Sequence, residues 1–462
     1  MPIQRNQPSP VGEHPAGMAV AVIGTGYVGL VTAACLAAVG HRITCVDRDR
    51  DRVAALARGE VPFHEDGLTA LLAGGRVAAT TDTASAVATA EVVLICVGTP
   101  DRDGAIDLTA LEAAAAEVGR SLTGEFPVVA VKSTVVPGTT DTLVRRILEQ
   151  ESDRLAGRDF GLAMNPEFLS QGSAVADFMM PDRIVLGAFD QRTAAVMARL
   201  YRPFPAPLLT MGLREAEMVK YAANALQATL ISFTNQFAAL CEAIPRIDLA
   251  RVMEAVHLDR MLDGPDGGRA GATRFLKGGI GFGGSCFPKD LAALSWWARR
   301  RGIELPLIDA AQAINTRRPT QVVELLAQAL GGICQKRVAV LGLAFKPGTD
   351  DLRESPGLKL VGRLLARGVE VTAHDPLPEV RQRVRAMHRG AVLVTETAAQ
   401  AVAGTDAAIL ATAWPDYRRH DLANGMRRPV LLDGRGVLDG LEMPDGVTLL
   451  RIGTYAPTTE EP

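Results

Sequence analysis

The chain has 462 residues, of which 48% are hydrophobic and 22% are charged, and this is typical of a soluble globular protein with two or three domains. A formal net charge of −3 gives no general attraction to nucleic acid or to an anionic membrane, so neither is expected as a partner. No apolar run reaches the roughly 18 residues of a transmembrane helix. Residues 1–17 lack the apolar core of a signal peptide and are predicted to form a disordered tail, so we expect a cytoplasmic protein.

The six cysteines are widely spaced and include no CxxC pair, so the sequence predicts neither a metal site nor a disulfide framework. Four of them lie in apolar surroundings, where a buried structural thiol is expected: Cys35, Cys45, Cys96 and Cys241. A reducing compartment is consistent with this cysteine usage.

Strand and helix patterns alternate through the first part of the chain, which predicts a mostly parallel sheet with helices on both faces. Short apolar runs predict the strands at 18–23, 43–46, 92–97, 128–131, 161–164 and 184–186, and a helix-like stretch follows the first of them at 27–39. We assign residues 18–212 to this domain.

A long helix is predicted from residue 213 to residue 244, because apolar residues recur at helical spacing until Pro245. With about 30 residues it would span roughly 45 Å, joining two domains and offering a dimer surface. Helical blocks at 248–257 and 290–314 complete a central domain, 213–315. Strand patterns return at 337–341, 369–372, 407–411 and 430–432 within a last domain, 316–462. The predicted fold class is α/β, with two Rossmann-like, doubly wound parallel-sheet domains joined by the long central helix.

A glycine turn between the first strand and the first helix predicts a dinucleotide site. Gly24 permits the tight turn, Gly26 lets a pyrophosphate approach the backbone, and Gly29 lets helix and strand pack closely. Asp47 ends the second strand, where a carboxylate bonds ribose hydroxyls and repels a 2′-phosphate, so NAD is favoured over NADP. Two alternatives stay open: Arg48 would tolerate a phosphate, and the glycines would by themselves suit a plain tight turn.

In the last domain the matching strand end lacks a three-glycine turn. A second dinucleotide is therefore not expected there. Instead, we expect a nucleotide whose phosphates are reached by Lys346.

The most informative segment is 281–290, in which a glycine-rich turn leads to Cys286. Lys289 follows three residues later, so the thiol is placed for a lowered pKa and for nucleophilic attack. Asp290 is suited to orient a water or a neighbouring lysine. The alternative is a surface turn with an incidental cysteine.

Lys220 and Asn224 are four residues apart and share one face of the long helix. An ammonium and an amide there can stabilise an alkoxide as a hydride leaves, although an isolated pair of this kind is more often a solvated helix face. Glu167 and Thr134 each follow a predicted strand, at the edge where α/β sheets bind ligands. Each residue would equally suit a turn or a helix cap.

Together these motifs resemble the UDP-glucose/GDP-mannose dehydrogenase family, over residues 18 to about 440. The matching segments are GTGYVG (24–29), VGTP (97–100), STVVPGT (133–139), NPEFL (165–169), PDRIVLG (181–187), KYAANA (220–225), GFGGSCFPKD (281–290) and LAFKPGTDDLRESP (343–356). They occur in family order, and the cysteine segment is closer to the UDP-glucose branch than to the GDP-mannose branch.

The resemblance implies a four-electron oxidation of a nucleotide sugar, with UDP-glucose as the favoured substrate and NAD as cofactor. Lys220, Asn224 and a water held by Asp290 and Thr134 would handle the first oxidation. Cys286 would then add to the aldehyde, since a thiohemiacetal restores a hydroxyl that can be oxidised. Glu167 would assist the hydrolysis of the resulting thioester.

The resemblance also implies the binding residues. For NAD, besides Gly24, Gly26, Gly29 and Asp47, these are Tyr27, Val28, Arg52, Thr99, Thr134, Gln171, Lys289 and Arg353. For the substrate they are Glu167, Phe168, Leu169, Lys220, Asn224, Phe275, Leu276, Lys277, Gly278, Gly279, Gly283 and Lys346. A homodimer through the central helix is implied as well.

This sequence departs from the family pattern at three places. Gln171 stands where the family usually has an acid, so Glu167 would work with less electrostatic help, and Gln236 replaces another acid, after Asn235. The segment 269–275 is one residue longer than usual, which leaves open whether Arg269 or Arg274 reaches the substrate of a neighbouring subunit.

Two other classes remain as alternatives, besides family members that act on UDP-galactose, UDP-N-acetyl sugars or GDP-mannose. A β-hydroxyacid dehydrogenase of the 6-phosphogluconate type shares the glycine turn and the Lys/Asn pair, but it needs neither Cys286 nor a second α/β domain. A non-catalytic nucleotide sensor would be expected to have lost catalytic positions, and all of them are present here.

Overall fold

The computed structural model describes residues 4–6, 17–102, 104–264 and 268–455. The chain forms two compact units: unit 1 consists of Met1–Ala223 with Ala292–Arg300, and unit 2 of Asn224–Leu291 with Arg301–Pro462. Each unit contains one main β-sheet and its own hydrophobic core.

Seventeen strands are present in the described ranges. They are β1 Gln4–Asn6, β2 Ala19–Ile23, β3 Arg42–Val46, β4 Val77–Thr80, β5 Val92–Ile95, β6 Asp101–Arg102, β7 Ala105–Ile106, β8 Val128–Val131, β9 Gly161–Met164, β10 Ile184–Ala188, β11 Leu208–Met211, β12 Arg337–Leu341, β13 Glu370–His374, β14 Val392–Val394, β15 Ala407–Leu410, β16 Val430–Asp433 and β17 Thr448–Arg451.

Fifteen α-helices lie in the same ranges, together with short 3₁₀ and π turns. The helices are α1 Tyr27–Ala38, α2 Arg50–Ala57, α3 Leu68–Leu72, α4 Thr83–Ala88, α5 Thr109–Ser121, α6 Arg145–Ser152, α7 Ala174–Met179, α8 Gln191–Tyr201, α9 Leu213–Glu242, α10 Leu249–His257, α11 Phe287–Arg299, α12 Pro306–Leu330, α13 Pro356–Leu365, α14 Pro378–His388 and α15 Ala398–Val402. The 3₁₀ turns are Arg260–Leu262, Gly271–Phe275 and Pro415–Tyr417, and the π turn is Thr139–Val144.

The sheet of unit 1 has nine strands in the order β1-β11-β10-β9-β8-β5-β2-β3-β4. All neighbours are parallel except β1 with β11 and β9 with β10, so the predicted, mostly parallel sheet is confirmed. Buried apolar side chains at successive positions of a strand, such as Val22 and Ile23, belong to two different core clusters. Both faces of the sheet are therefore covered, as the continuous apolar runs predicted.

The prediction of a disordered tail over residues 1–17 is wrong for Gln4–Asn6, which pair antiparallel with Leu208–Thr210 at the sheet edge. The rest of that tail, 1–3 and 7–16, lies outside the described residues. Six further strands were not predicted from the sequence: β4, β6, β7, β11, β14 and β17. Strands β6 and β7 have two residues each, and the other four are edge or near-edge strands of three or four residues, too short to give a clear periodic run.

The long central helix is confirmed, since α9 runs without interruption for 30 residues. In contrast, the helical block predicted over 290–314 is wrong as a single helix, because α11 and α12 are separated there. The break contains Gly302 with a φ of +71°, and Pro306 begins the next helix at a first-turn position. Helix α11 also begins earlier than predicted, so Lys289 and Asp290 lie in its first turn.

The sheet of unit 2 is entirely parallel, in the order β14-β13-β12-β15-β16-β17. The turn that follows β12 is packed in the same way as the glycine turn that follows β2 in unit 1. Gly342 has a φ of +94°, and a Cβ added at Gly357 would lie 2.5 Å from the Gly342 oxygen. Gly24 and Gly29 are related in the same way, with a φ of +95° at Gly24 and a distance of 1.9 Å. Thus the Rossmann turn is present twice, but a long loop replaces its middle glycine in unit 2.

Asp375 follows β13 and occupies the position that Asp47 has after β3 in unit 1. Its side chain is fully buried and accepts hydrogen bonds from the backbone N–H groups of Leu343 (2.8 Å), Ala344 (3.1 Å) and Leu377 (3.1 Å). Burial raises the pKa of Asp375 above its usual value, although these hydrogen bonds act to lower it. The carboxylate is therefore bonded to its own turn, as that of Asp47 is in unit 1.

The four cysteines predicted to be structural are all buried, whereas Cys286 is partly exposed and Cys334 exposed. Burial raises the pKa of Cys35, Cys45 and Cys96 to about 12. Among the described residues, no helix combines the length and the apolar character needed to span a bilayer.

Candidate active site

The three glycines of the first turn have different surroundings, and the differences match their predicted roles. Gly24 has a left-handed φ and lies against the Cys96 backbone. A Cβ at Gly29 would clash with the Gly24 oxygen, so this position is closed by helix–strand packing. At Gly26, the N-cap of α1, an added Cβ would meet no atom within 4 Å. The open space therefore lies at the glycine that the sequence assigns to a pyrophosphate, beside the N-terminus of a helix that begins with Tyr27 and Val28.

Asp47 is fixed to this turn. Its Oδ2 accepts from the Thr25 N–H (2.9 Å) and hydroxyl (2.6 Å), and its Oδ1 accepts from the Asp49 N–H (3.0 Å). Burial acts to raise the pKa of Asp47, but these hydrogen bonds and the charge of Arg52, 3.4 Å away, hold it below its usual value. An ionised carboxylate at this place suits ribose hydroxyls and disfavours a 2′-phosphate, although Arg48 beside it is exposed.

Glu65, which was not among the predicted site residues, is a buried carboxylate that joins the glycine turn to the loop after NPEFL. It accepts a hydrogen bond from the Tyr27 hydroxyl and from the N–H groups of Gly172 and Ala174, both at 2.7 Å. Gln171 lies in this loop, and its Oε1 is buried without a partner among the described residues. No motif pointed to Glu65, because its partners are distant in sequence.

Lys220 and Glu167 form a buried ion pair in unit 1. Lys220 Nζ donates to Glu167 Oε1 at 2.9 Å, with side-chain exposures of 4% and 7%, and Glu167 Oε2 accepts from the Leu169 N–H at 2.6 Å. Burial acts to raise the pKa of Glu167, but the charge and hydrogen bond of Lys220 outweigh it and hold the pKa below its usual value. The Lys220 ammonium also lies 5.6 Å from the ring centre of Phe168. Glu167 is therefore a carboxylate at neutral pH.

Thr99 and Thr134, predicted from neighbouring strand ends, are brought together in unit 1. The Thr99 hydroxyl donates to the Thr134 carbonyl at 2.8 Å. Beside them Lys132 is buried, with Nζ 2.9 Å from Asn165 Oδ1, and burial lowers its pKa to about 8. A second ammonium thus lies near the Glu167 segment, and the sequence analysis assigned it no role.

In unit 2, Cys286 is the N-cap of α11, because its carbonyl accepts the first helical hydrogen bond, from the Asp290 N–H at 2.8 Å. A helix N-terminus stabilises negative charge, so a thiolate is favoured at this position. The neighbouring Ser285 hydroxyl lies 3.7 Å from the sulfur. Partial exposure leaves the thiol accessible, in contrast with the buried cysteines.

Glycines before Cys286 allow its turn to pack against the loop 343–356 of the same unit. A Cβ at Gly283 would lie 2.2 Å from the Glu354 oxygen, and one at Gly284 would lie 2.7 Å from the Phe345 ring. Arg353 is held by Asp351, with a shortest contact of 2.6 Å, and this hydrogen bond raises its pKa. Lys346 lies half-buried in the same loop. Two motifs that are about 60 residues apart in sequence therefore form one surface around the thiol.

Asn224, Asp290 and Lys289 form a second cluster in unit 2. Asn224 Nδ2 donates to Asp290 Oδ2 at 2.6 Å, and Lys289 Nζ donates to Asp290 Oδ1 at 2.5 Å. Asp290 is 1% exposed, so both of its oxygens are used inside the protein. Lys220 precedes Asn224 by one turn of α9, which confirms their predicted common face.

The segment expected to bind the substrate, 275–279, leads from a 3₁₀ turn into the glycine-rich turn. Leu276 is buried, Phe275 and Gly278 are half-buried and Lys277 is exposed. An added Cβ at Gly279 would lie 3.3 Å from Arg435 Nη1. This segment therefore passes directly beside an arginine that the sequence analysis missed.

Arg435 follows β16, at the carboxyl edge of the unit 2 sheet, where ligands of such sheets bind. Its Nε donates to the Ala411 carbonyl at 3.0 Å, and neither Nη has a hydrogen-bond or carboxylate partner in the described part of the chain. Burial lowers its pKa to about 10, which leaves it protonated at neutral pH. An unpaired guanidinium of this kind is suited to a phosphate group.

Arg269 and Arg274, the two candidates for an arginine that reaches a neighbouring subunit's substrate, have different surroundings. Arg269 is paired with Asp263 at 2.7 Å, whereas Arg274 lies over the Phe275 ring at 5.2 Å and has no carboxylate partner among the described residues. Of the two, Arg274 is therefore the arginine whose guanidinium no described carboxylate pairs with.

Comparison with known proteins covers most of the chain. Three family models of the UDP-glucose/GDP-mannose dehydrogenases match it: the NAD binding domain at residues 18–205, the central domain at 214–317 and the UDP binding domain at 339–440. A UDP-glucose 6-dehydrogenase of Pseudomonas aeruginosa is 41% identical over 435 residues, which are 91% of this chain and 94% of that protein. One from Haloferax volcanii is 40% identical over 445 residues, 94% of this chain and 100% of that protein.

The likeness extends to solved structures. A UDP-glucose dehydrogenase from the archaeon Pyrobaculum islandicum superimposes with a TM-score of 0.86 at 38% identity, over 96% of this chain and 100% of that one. The predicted fold class and the NAD cofactor are thereby confirmed. This chain belongs to the UDP-glucose/GDP-mannose dehydrogenase family, whose members are NAD-dependent oxidoreductases.

Proposed function

We propose that this protein is a UDP-glucose 6-dehydrogenase, which oxidises the C6 alcohol of UDP-glucose to the carboxylate of UDP-glucuronate. The observation that carries the proposal is the accessible thiol of Cys286 at the N-terminus of α11. A simple alcohol dehydrogenase has no use for such a nucleophile, whereas in oxidation beyond the aldehyde a thiol adduct supplies the hydroxyl that is oxidised in the second step. The relatives of about 40% identity that act on UDP-glucose support the same substrate.

In the first oxidation, Lys220 and Asn224 stabilise the alkoxide, and a water held by Asp290 and Thr134 carries the proton away. The Gly24–Gly29 turn and Asp47 would hold NAD, which would supply the hydride acceptor for each of the two oxidations. The turn fits this cofactor, because the space beside Gly26 is open and the Asp47 carboxylate is ionised. Tyr27, Val28, Arg52, Thr99, Gln171, Lys289 and Arg353 complete the proposed NAD contacts.

Cys286 thiolate then adds to the aldehyde carbon, whose oxygen takes up a proton, and the thiohemiacetal so formed has a hydroxyl that is oxidised in its turn. The product of this second oxidation is a thioester. Glu167, ionised beside Lys220, accepts a proton from the water that attacks the thioester carbonyl. The C–S bond breaks, and the thiolate of Cys286 is regenerated.

For the nucleotide, we propose that Arg435 and Lys346 bind the diphosphate, in addition to the contacts of Phe275–Gly279 and Gly283. The unpaired guanidinium of Arg435 beside Gly279 supports this role. Phe168 and Leu169 accompany Glu167 at the sugar. The corresponding domain assignment is an NAD-binding domain at 18–212, a central domain at 213–315 and a UDP-sugar domain at 316–462, and the ranges of the three family models support it.

The test is the amount of NADH formed per UDP-glucose consumed. We expect two equivalents, with UDP-glucuronate as the sugar product. One equivalent would indicate a simple alcohol dehydrogenase, and none would indicate a nucleotide sensor. Parallel assays with GDP-mannose and UDP-N-acetylglucosamine decide between substrates, and we expect kcat/KM to be highest for UDP-glucose.

We also propose a cytoplasmic homodimer. Four large apolar side chains are exposed along one face of α9: Leu226 (59%), Phe233 (46%), Phe237 (37%) and Leu240 (54%). A helix presents such a stripe when a second apolar surface covers it, and a second copy of the same helix meets this need around a twofold axis. Arg274, which has no carboxylate partner within the described ranges, is then the proposed arginine for a neighbouring subunit's substrate. None of the six cysteines, all of which lie in the described ranges, forms a disulfide, and this supports a reducing compartment.

Placing a charge on this stripe is expected to dissociate the dimer. The variant Phe237→Asp should elute as a monomer in size-exclusion chromatography with light scattering, because a carboxylate would be desolvated at the interface. Met387→Asp is the matched control, since Met387 is 56% exposed but lies on α14. A wild-type protein that is monomeric at micromolar concentration would contradict the proposal.

A further inference from the structure

The peptide of Gly279 is held at both ends by side chains of unit 2. Its N–H donates to Asn235 Oδ1 at 2.8 Å, and its carbonyl accepts from Arg318 Nε at 2.8 Å. Both residues are buried, at 1% and 0% exposure. The backbone of the proposed substrate segment is therefore fixed at this residue and not merely packed.

Arg318 is neutralised by Glu242 in a bidentate ion pair, with N–O distances of 2.9 and 2.5 Å. Glu242 also accepts from the Gly453 N–H at 2.8 Å. A buried ion pair is seldom more stabilising than apolar side chains of the same volume, since both charges lose their hydration. Its benefit is geometrical, because the planar guanidinium aims one N–H at the Gly279 carbonyl while its other nitrogens are held.

A third side chain fixes the segment a little further on. Asn315 accepts from the Phe282 N–H at 2.7 Å and donates to the Phe282 carbonyl at 3.0 Å. The chain between these points thus has little freedom. Cys286 follows only four residues after Phe282.

Beside Gly279 lies Arg435, the residue proposed to bind the diphosphate of the substrate. Gly279 leaves little room for a side chain, because an added Cβ would lie in tight contact, at 3.3 Å, with both Arg435 Nη1 and the Gly434 oxygen. Any shift of the Gly279 peptide would move it towards the guanidinium or away from it. The position of this one peptide therefore sets the space next to the phosphate-binding group.

We propose that Asn235, Arg318 and Glu242 form a loop clamp, whose function is to position Gly279 and thereby the binding site for the UDP portion of the substrate. They are positioning residues, and the inference rests on the proposed function. Asn235 lies eleven residues beyond Asn224 on α9, about 16 Å along the helix axis. The clamp is therefore remote from the reacting carbon, and it acts on substrate affinity and not on the hydride transfers.

The test uses two variants of the full-length enzyme. Asn235→Ala removes the acceptor for the Gly279 N–H, and we expect the Kd for UDP, measured by calorimetry, and the KM for UDP-glucose to rise about tenfold. Asn235→Asp keeps an acceptor oxygen in the same place and should recover most of the affinity. For both variants kcat at saturating substrate and the KM for NAD should stay within about twofold of wild type.

Ser232→Ala is the matched control, because Ser232 is also buried on α9 and its hydroxyl donates to the Ala311 carbonyl at 2.8 Å, away from the segment. It should lower the thermal midpoint as Asn235→Ala does, without changing the Kd for UDP. If Asn235→Ala also lowers only the midpoint, the clamp is purely structural and the inference is wrong. If the wild type itself fails to bind UDP, the proposed function is overturned instead.

Discussion

Cys286→Ser is expected to form no UDP-glucuronate at a measurable rate, with a fall in kcat for the full reaction of at least about a thousandfold. A serine hydroxyl at the start of α11 remains protonated at neutral pH, so it adds to the aldehyde weakly and forms an ester in place of a thioester. The reaction should stop at the aldehyde or at an adduct with the enzyme. Mass spectrometry of the protein and of the sugar product, combined with the NADH yield, distinguishes these species.

Cys334→Ser is the control for this experiment, because Cys334 is the other cysteine with an accessible thiol in the described ranges. Its kcat should equal that of wild type. Two NADH per sugar and a normal yield of uronate from Cys286→Ser would rule out the covalent route. Glu167 and Lys220 would then have to act on a hydrated aldehyde without the thiol.

The fold could be predicted where local pattern and tertiary environment agree. Strands buried on both faces, such as β5 and β8, appear as continuous apolar runs, and α9 has no glycine or proline within its bounds. The predictions failed where pairing partners or a single backbone angle decide the outcome. The edge strand β1 depends on β11, which is about 200 residues away in sequence, and the break between α11 and α12 lies around Gly302.

The residues of the candidate site could be predicted from the sequence where they belong to linear motifs. Cys286, Lys220 and Asp290 belong to recognisable segments, and the structure places Lys220 beside Glu167 and Asn224 beside Asp290. Arg435 and Glu65 were missed because single charged residues in short loops carry no local signal. Their surroundings, an unpaired guanidinium in one case and a buried carboxylate in the other, exist only after folding.

Mutations in the buried ion pair of Lys220 and Glu167 should have separable effects on the stability of the protein and on kcat. Lys220→Met removes the alkoxide-stabilising cation and should lower kcat by about 100- to 10,000-fold. It also leaves Glu167 without its ion-pair partner, which should destabilise the protein by about 3–5 kcal/mol and raise the pKa of this carboxyl, since the largest effect that opposes burial is then lost. The thermal midpoint of the single variant at pH 7 measures the loss.

The double variant Lys220→Met/Glu167→Gln is the informative control, because a neutral amide no longer needs a counter-ion. It should recover most of the lost thermal stability and none of the activity. The pH dependence follows from the sign of the shift: in the wild type the folded pKa of Glu167 lies below the unfolded value of about 4.5, so the stabilisation by the pair is present above that pH and is lost as the pH falls through the folded pKa. The stability difference between wild type and Lys220→Met should therefore shrink in acid. A difference that stays constant from pH 7 to pH 3 would show that the ion pair is not its source, and would remove the reason for treating Glu167 as the ionised base of thioester hydrolysis.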